Sequence, residues 1–315
     1  MKGMILAAGL GTRLRPLTYE LPKPIVPVLG RPLCSYNMEF LSMSGVRSFV
    51  MNLHARPKLI QQRVAGWTGG KIRVDYTLEP EILGTGGGIG NAGRYLEGGT
   101  FVTANSDTVT RFRFADALAY HRDRKAVATL VLFPDPERRY TPVWIDETGR
   151  IAGIGSGAAG VRSGFYTGFQ IVEPALLKEI PPGRASCIIR ETYLRLVSQG
   201  APLFGFLTSG TFREFGSPSD YLEGTLELLT ESSPRKGEPA SPPDGVTIVP
   251  PVYISSGAKI AAGARIGPEA VIEDGAVVKE GASVRRAILW PNAIAGAGDE
   301  ISGAILTPNR RVDIS

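Results

Sequence analysis

The C-terminal part of the chain repeats every six residues. Small residues fill many of the positions between the repeated ones, among them Gly257 and Gly263. The repeated positions hold branched apolar residues without a slip: Ile248, Ile254, Ile260, Ile266, Ile272, Val278 and Val284. A period of six fits neither an α-helix nor an alternating strand, but it fits a solenoid of triangular coils with one hexapeptide on each side. We therefore predict a short left-handed parallel β-helix over residues 246–315, with about three coils of roughly 18 residues.

The ends of a stacked β-helix expose strand edges with unpaired backbone groups. A second copy of the chain would cover these edges. We therefore expect a homo-oligomer, although the repeat does not indicate the number of subunits.

The first 230 residues alternate short apolar runs with helical patterns. The apolar runs predict strands at 3–8, 48–53, 71–78, 100–104 and 126–133. The helical patterns predict helices at 33–44, 57–65, 88–96 and 114–124. This alternation predicts an α/β domain over residues 1–230 with a Rossmann-like, mostly parallel sheet, which the less regular residues 140–229 complete. Residues 231–245 are rich in proline, serine, glycine and charge, which predicts a linker.

Composition argues against several other classes of protein. The 315 residues include 35 basic and 30 acidic side chains, without the Lys/Arg run typical of nucleic-acid binding. Cys34 and Cys187 are too few for a disulfide framework and suit a reducing compartment. No segment reaches the roughly 18 apolar residues that cross a bilayer, so we expect a cytoplasmic protein that binds neither membrane nor nucleic acid. His54 and His121 are too few and too far apart to indicate a zinc site.

A glycine-rich loop follows the first predicted strand. It reads Leu6-Ala7-Ala8-Gly9-Leu10-Gly11-Thr12-Arg13-Leu14, and Lys23 follows later. Glycines let backbone N–H groups surround an anion, and Arg13 and Lys23 can supply positive charge. The spacing is neither that of the P-loop nor that of the dinucleotide fingerprint. These residues alone leave two interpretations open: a phosphate site, or a strand-to-helix glycine turn with basic residues on its surface.

Several stretches are similar to signatures of the sugar-1-phosphate nucleotidyltransferases. They are Leu6–Thr18, Leu21–Pro24, Glu79–Gly88, Val102–Asp107, Thr167–Phe169 and Arg213–Pro218. The resemblance extends over essentially the whole chain, and the repeat tail resembles that of the mannose-1-phosphate guanylyltransferase branch. It implies an enzyme that joins a nucleoside triphosphate to a sugar 1-phosphate, giving a nucleotide sugar and pyrophosphate.

The resemblance also implies roles for the matching residues. Arg13 would hold the triphosphate and the leaving pyrophosphate, and Lys23 would neutralise the α-phosphate during attack. The residues implied in nucleotide binding are Leu6, Ala7, Ala8, Gly9, Gly11, Thr12, Glu79, Gly84, Thr85 and Gly86. Those implied in sugar binding are Asn105, Thr167 and Gly168. Asp107 and Glu214 would bind Mg²⁺, which suits carboxylates combined with phosphate oxygens.

Two departures from the family pattern concern the metal and the sugar. Glu214 stands where relatives have an aspartate, which is one methylene shorter. Many relatives also carry a Glu-Lys-Pro motif whose lysine meets the sugar phosphate. No such lysine follows the Thr148–Ile151 turn here, and Arg162 is one candidate to replace it.

The sequence leaves the substrate open. The repeat tail and the Leu83–Gly87 motif favour guanylyl transfer to mannose 1-phosphate or to a related sugar such as heptose 1-phosphate. Uridylyl or thymidylyl transfer to glucose 1-phosphate or an amino sugar 1-phosphate is the alternative within the class. A non-catalytic, nucleotide-sugar-binding regulatory homologue is a further alternative. Acyl transfer by the solenoid is disfavoured, because no histidine follows His121.

Overall fold

The computed structural model describes residues 1–231 and 245–314. The predicted linker at 231–245 lies almost entirely outside the described residues. Contacts within the chain divide it into two compact units. The first unit comprises Met1–Leu10 and Cys34–Arg213, and the second comprises Gly11–Leu33 and Glu214–Ser315. In the described ranges, no helix has the combination of length and apolar character needed to cross a bilayer.

The first unit is built on a nine-stranded sheet, with two further short strands paired beside it. The strands up to Phe133 are β1 Lys2–Leu6, β2 Ser48–Leu53, β3 Arg73–Leu78, β4 Phe101–Asn105, β5 Thr108–Arg111 and β6 Ala128–Phe133. Those that follow are β7 Pro142–Ile145, β8 Ile151–Ile154, β9 Arg162–Val172, β10 Leu203–Leu207 and β11 Thr211–Glu214. The sheet order is β8-β7-β9-β4-β1-β2-β3, with β6 paired to both β9 and β10.

The centre of this sheet is parallel. Strand β1 lies between β2 and β4 and is parallel to both, and β3 continues the parallel set. All six residues of β6 are buried, as expected for strands covered on both faces. The predicted α/β class and mostly parallel sheet are confirmed. The long strand β9, which runs antiparallel to β4, β6 and β7, was not predicted.

Helices connect the strands. In the first unit they are α1 Ser35–Met43, α2 Pro57–Thr68, α3 Gly84–Asn91, α4 Gly93–Leu96, α5 Phe114–Asp123 and α6 Leu194–Ser198. Helix α2 begins at Pro57 and ends before Gly69, whose φ of 54° is left-handed, as proline and glycine favour at these two positions. Helix α3 begins four residues earlier than the predicted start at Gly88. Residues 140–229 are also more regular than the sequence indicated.

The repeat tail belongs to the second unit and consists of short strands. They are β12 Thr247–Ile248, β13 Val252–Ile254, β14 Lys259–Ile260, β15 Arg265–Ile266, β16 Ala270–Ile272, β17 Val277–Val278, β18 Ser283–Leu289, β19 Ile294–Ala295, β20 Glu300–Leu306 and β21 Arg311–Asp313. All these strands up to β20 pair in parallel, and β21 alone pairs antiparallel. These later strands therefore form parallel sheets.

The pairing register follows the repeat. Ile248 pairs with Ile266 and Ile266 with Val284, so each step is 18 residues long. Five of the seven repeated positions are buried, and Ile248 and Ile260, which belong to the first coil, are half-buried. The branched side chains therefore stack on one another and form the apolar core of the tail.

Two other elements complete the second unit. Residues 11–33 form three single-turn 3₁₀ helices, Thr12–Leu14, Leu17–Tyr19 and Lys23–Ile25, and a short hairpin of Pro27–Val28 with Arg31–Pro32. Helix α7, Pro218–Glu231, begins with a reciprocal cap. Asp220 Oδ2 accepts the Ser217 amide at 2.8 Å, and the Asp220 amide donates to Ser217 Oγ at 3.1 Å.

Candidate active site

The carboxyl ends of the central parallel strands bring several predicted residues together. Leu6, the last residue of β1, is in register with Asn52 on β2 and with Asn105 on β4. Because ligands of parallel sheets bind beyond this edge, the loop after β1 emerges where a site is expected. The resemblance had implied binding roles for Leu6, Ala7 and Asn105, but it had not included Asn52.

A chain of buried hydrogen bonds fixes the backbone directly after β1. The Ala7 amide donates to Asn52 Oδ1 at 2.9 Å, and Asn52 Nδ2 donates to Glu79 Oε1 at 2.7 Å. The other carboxylate oxygen of Glu79 accepts the Leu83 amide at 2.9 Å. Glu79 is only 2% exposed. These contacts favour a positioning role for Glu79, linking the β1 loop to the start of α3, over the direct nucleotide contact implied by resemblance.

Gly84, Thr85 and Gly86 form the first turn of α3 rather than a loop before it, because α3 begins at Gly84 and not at the predicted Gly88. Gly84 has a φ of 68°, and a Cβ there would lie 2.7 Å from Ser186 O. A Cβ on Gly86 would lie 2.6 Å from Ser186 Oγ, and the Gly86 amide donates to Ser186 O at 2.9 Å. Thr85 Oγ1 accepts the Ile188 amide at 3.1 Å. The glycines therefore allow α3 to pack directly on the backbone near Ser186. A role of these glycines in nucleotide binding stays a prediction.

The three predicted sugar residues meet at an irregularity in β9. The pairing of β9 with β6 shifts register between Tyr166 and Gln170. Gly168 has a φ of 84° within this irregularity, and a Cβ on it would lie 2.4 Å from Asn105 Nδ2. Thr167 is buried and donates its hydroxyl to Val131 O at 3.0 Å. Gly168 therefore lies against the Asn105 amide, whereas the Thr167 hydroxyl is engaged within the fold.

Asp107 lies in the turn between β4 and β5. The Ser106 amide donates to Leu6 O at 3.1 Å, which ties this turn to the end of β1. Asn37, fully buried on α1, donates to Asn105 O at 3.0 Å and accepts the Thr110 amide at 3.2 Å. Asn37 was missed by sequence reasoning, although a polar residue on an otherwise apolar helix face could have drawn attention to it.

The carboxylate of Asp107 is a ligand of the kind that Mg²⁺ binds. Within residues 1–231 and 245–314, no three His, Cys, Asp or Glu side chains cluster as metal ligands. Mg²⁺ does not need such a cluster, because one or two protein carboxylates with substrate phosphates and water satisfy it. An ordered turn carrying a carboxylate at the sheet edge is consistent with this kind of site.

The remaining loop residues lie in the second unit. Gly11 has a φ of 62°, and a Cβ there would lie 2.9 Å from Lys23 Cβ. Only glycine therefore fits against Lys23, whose side chain is buried at 7% exposure. Thr18 Oγ1 donates to Gly11 O at 3.0 Å and holds the turn closed. The structure thus places Gly11 directly against Lys23.

Arg13 and Glu214 form an ion pair. Arg13 Nη2 lies 2.6 Å from Glu214 Oε1, and the Arg13 side chain is 68% exposed. A Cβ on Gly216 would lie 3.1 Å from Arg13 Nη1, so glycine leaves room for the guanidinium there. The predicted triphosphate cation and the predicted second metal ligand therefore contact each other directly.

A surface cavity of about 540 Å³ lies in the first unit. It is lined by residues of 135–144, 155–156 and 163–164, including Arg138, Arg139, Tyr140 and Trp144. Strand β9 pairs with β4 only through residues 170–172, so its first half extends beyond the carboxyl edge of β4. The cavity lies beside this projecting half. Tyr140 stacks on Phe165 with ring centroids 4.4 Å apart, which stabilises the cavity wall.

The chain is similar to proteins of known name over most of its length. The chain is 28% identical over 235 residues to the mannose-1-phosphate guanylyltransferase of Mycobacterium tuberculosis, covering 73% of this chain and 65% of that protein. It is 31% identical over 273 residues to the mannose-1-phosphate guanyltransferase of Eremothecium gossypii, covering 83% and 73% respectively. The chain therefore spans about two thirds to three quarters of the length of these relatives.

Solved structures show the same fold. The crystal structure of HddC from Yersinia pseudotuberculosis matches with a TM-score of 0.61 and 26% identity, covering 72% of this chain and 99% of that chain. A second structure of HddC, complexed with GMP-PN, matches with a TM-score of 0.60 and 27% identity. The family model described as Nucleotidyl transferase matches residues 2–231. The chain belongs to the nucleotidyl transferase family.

Proposed function

We propose that the protein transfers a guanylyl group from GTP to mannose 1-phosphate, giving GDP-mannose and pyrophosphate. The observation that carries the proposal is the opening loop. There Gly11, with its left-handed backbone, packs on buried Lys23, and Thr12 and Arg13 come directly after Gly11 in the chain. The names of the fungal and mycobacterial relatives support the choice of base and sugar.

In the proposed reaction, an oxygen of the sugar phosphate attacks the α-phosphorus of the nucleotide. The new P–O bond forms as the bond to the β-phosphate oxygen breaks, and pyrophosphate leaves with the electron pair. Lys23 neutralises charge at the α-phosphate, and Arg13 binds the departing phosphates through its planar fork. Mg²⁺, with Asp107 as a carboxylate ligand, would supply further neutralisation of the phosphates. Glu214 would be the second carboxylate ligand of Mg²⁺ that the resemblance implies.

A panel assay of pyrophosphate release tests this function. Each of GTP, UTP, dTTP and ATP is offered with mannose, heptose, glucose and glucosamine 1-phosphates in the presence of Mg²⁺. We expect the highest kcat/KM with GTP and mannose 1-phosphate. Turnover only with UTP or dTTP would establish the uridylyl or thymidylyl alternative. Tight binding of a nucleotide sugar without any turnover, in Mg²⁺ or Mn²⁺, would establish the regulatory alternative.

For the sugar side, we propose that the cavity beside β9 receives the sugar 1-phosphate. Arg138 and Arg139 line it and supply positive charge in a chain without the Glu-Lys-Pro lysine. Arg139 lies 3.3 Å from Glu137 on the exposed rim, an ion pair that a phosphate can replace at little cost. Trp144 Nε1 donates to Gly155 O at 3.1 Å, which joins two of the residues that line the cavity.

The double variant R138A/R139A tests the cavity. We expect KM for the sugar 1-phosphate to rise about tenfold, the value of a charged hydrogen bond, while KM for GTP changes less than about twofold. Arg63→Ala, an exposed arginine on α2, is the matched control and is expected to leave both constants unchanged. Equal KM values for the sugar 1-phosphate in the two variants would show that the cavity does not bind it.

We also propose that the tail is a left-handed hexapeptide β-helix through which copies of the chain associate. The 18-residue pairing step and the buried branched positions support the coil. Light scattering after gel filtration, with the mass compared with 33.6 kDa for one chain, tests the association. A single mass equal to one chain across micromolar concentrations would contradict it.

A further inference from the structure

A buried carboxylate of the tail contacts the segment that carries Lys23. Glu273 is 1% exposed, and both of its oxygens accept the Gly30 amide, at 3.0 and 3.1 Å. Gly30 lies at the tip of the hairpin that ends residues 11–33. A buried acid is costly unless it is hydrogen-bonded, so its placement under this single amide requires an explanation.

The two residues at the tip of the hairpin adopt backbone conformations that most residues avoid. Leu29 and Gly30 have φ values of 49° and 79°, so both central residues of this tight turn are left-handed. A bulky residue such as leucine rarely adopts this conformation without support from its surroundings. Tyr253, also from the tail, closes the other side, because a Cβ on Gly30 would lie 2.0 Å from Tyr253 Oη. The tail therefore holds the turn through Glu273 and Tyr253 together.

Other tail and α7 residues hold the same segment on both sides of Lys23. Before it, Glu20 accepts hydrogen bonds from Thr307 Oγ1 and from Asn309 Nδ2, the latter at 3.1 Å. After it, Pro27 O accepts the Tyr221 hydroxyl, which in turn accepts Trp290 Nε1 at 2.9 Å. Along the chain, Lys23 thus lies between anchors at Glu20 and at Pro27–Gly30.

We propose that Glu273 is a positioning residue, which holds the Gly30 turn and through it the Lys23 segment in the conformation used for nucleotidyl transfer. The proposal rests on the proposed function for the role of Lys23. The tail then takes part in the reaction, because Glu273 lies in the repeat whereas Lys23 lies in the opening loop.

The charge of Glu273 decides the strength of this contact. Burial raises the pKa of Glu273 to about 7 against the opposing effect of the Gly30 amide, and the neighbouring charge of Asp274 contributes a smaller part of this rise. The pKa of Tyr253, which faces Glu273, is raised to about 12 by burial and by the same two carboxylates, so its hydroxyl stays neutral. Ionised Glu273 accepts the Gly30 amide more strongly than the protonated acid does. The contact therefore strengthens as the pH rises through about 7.

Three variants of the full-length protein test the proposal: E273A, E273Q and the control E280Q, whose glutamate is exposed on the same tail. Hydrogen exchange of a peptide that spans residues 23–33 is expected to accelerate in E273A but not in E280Q. For the transfer reaction, we expect E273A to lower kcat about tenfold with KM for GTP changed less than about twofold, because misplaced groups chiefly affect the transition state.

The glutamine variant separates positioning from general loss of structure. Its neutral amide oxygen still accepts from Gly30, although less strongly than the carboxylate does, so E273Q is expected to keep more kcat than E273A and to match the wild type measured below pH 7. The wild type and E280Q should lose kcat as the pH falls below about 7, and E273Q should lose less. If E273A does not fold, G30A perturbs the same turn from the other side.

Two results would overturn the proposal. One is that E273A shows the same hydrogen exchange and the same kcat as E280Q. The other is a pH profile of E273Q that superimposes on the wild type. If the wild type turns over no substrate in the panel, the proposed function fails, and the exchange measurement still decides whether Glu273 holds the segment.

Discussion

Lys23→Met is expected to lower kcat by about 10²–10³, the usual cost of removing one charge that stabilises a transition state. Methionine keeps the buried aliphatic stem against Gly11 but removes the ammonium, so the effect reports charge rather than packing. KM for GTP should change by less than about fivefold, because the charge acts mainly as attack on the α-phosphate proceeds. Pyrophosphate release under steady-state conditions measures both constants.

Lys58→Met, an exposed lysine on α2, is the matched control. We expect it to retain wild-type kcat. A rise in KM for GTP with unchanged kcat in Lys23→Met would place the lysine in ground-state binding and contradict the catalytic role. Urea unfolding of the variant should show a midpoint near that of the wild type if packing is preserved.

Glu79→Ala is expected to destabilise the protein by about 3 kcal/mol, because it leaves buried partners of a charged acceptor without their hydrogen bonds. The partners are Asn52 Nδ2 and the Leu83 amide. Loss of this link should also release the Ala7 backbone, so we expect kcat/KM to fall about tenfold or more. Urea unfolding followed by circular dichroism gives the free energy, and the panel substrates give the activity.

Glu81→Ala is the control for this variant, since Glu81 is exposed in the same segment. We expect a change of less than about 0.5 kcal/mol, as for most surface substitutions. An equal effect of the two substitutions would show that the buried chain through Asn52 does not support the loop.

Periodicity predicted the parts of the fold that local sequence controls. The six-residue repeat marked the tail, and the apolar runs marked β1, β2 and β6, because burial on one or both faces imposes a pattern on neighbouring residues. The strand predicted at 48–53 matches the observed β2, Ser48–Leu53. Strand β9 was not predicted, because its antiparallel pairing with three other strands depends on residues distant in the sequence.

The glycines at 84–86 illustrate a second limit. Glycine in a row predicts a loop, since it is a poor helix former. Here the helix packs so closely on residues 184–186 that a Cβ at Gly84, Gly86 or Gly87 would lie only 2.6–2.7 Å from them. Tertiary packing overrides propensity, and no local pattern reveals a partner one hundred residues away.

Within the site, the family motifs brought out Arg13, Lys23 and Asp107 as candidates. They did not reveal Asn37 or Asn52, whose importance lies in the buried backbone groups that they satisfy. Nor did they indicate that Arg13 and Glu214 form an ion pair, because that contact joins residues far apart in the chain.

The grouping of Gly11–Leu33 with Glu214–Ser315 also bears on how the protein folds during synthesis. The segment with Arg13 and Lys23 is synthesised well before Glu273, Trp290 and Thr307, which help to anchor it. Contacts of such long sequence separation close slowly. This segment therefore cannot reach its final conformation until the repeats have been translated, and a nascent chain that stops before the repeats lacks these anchors.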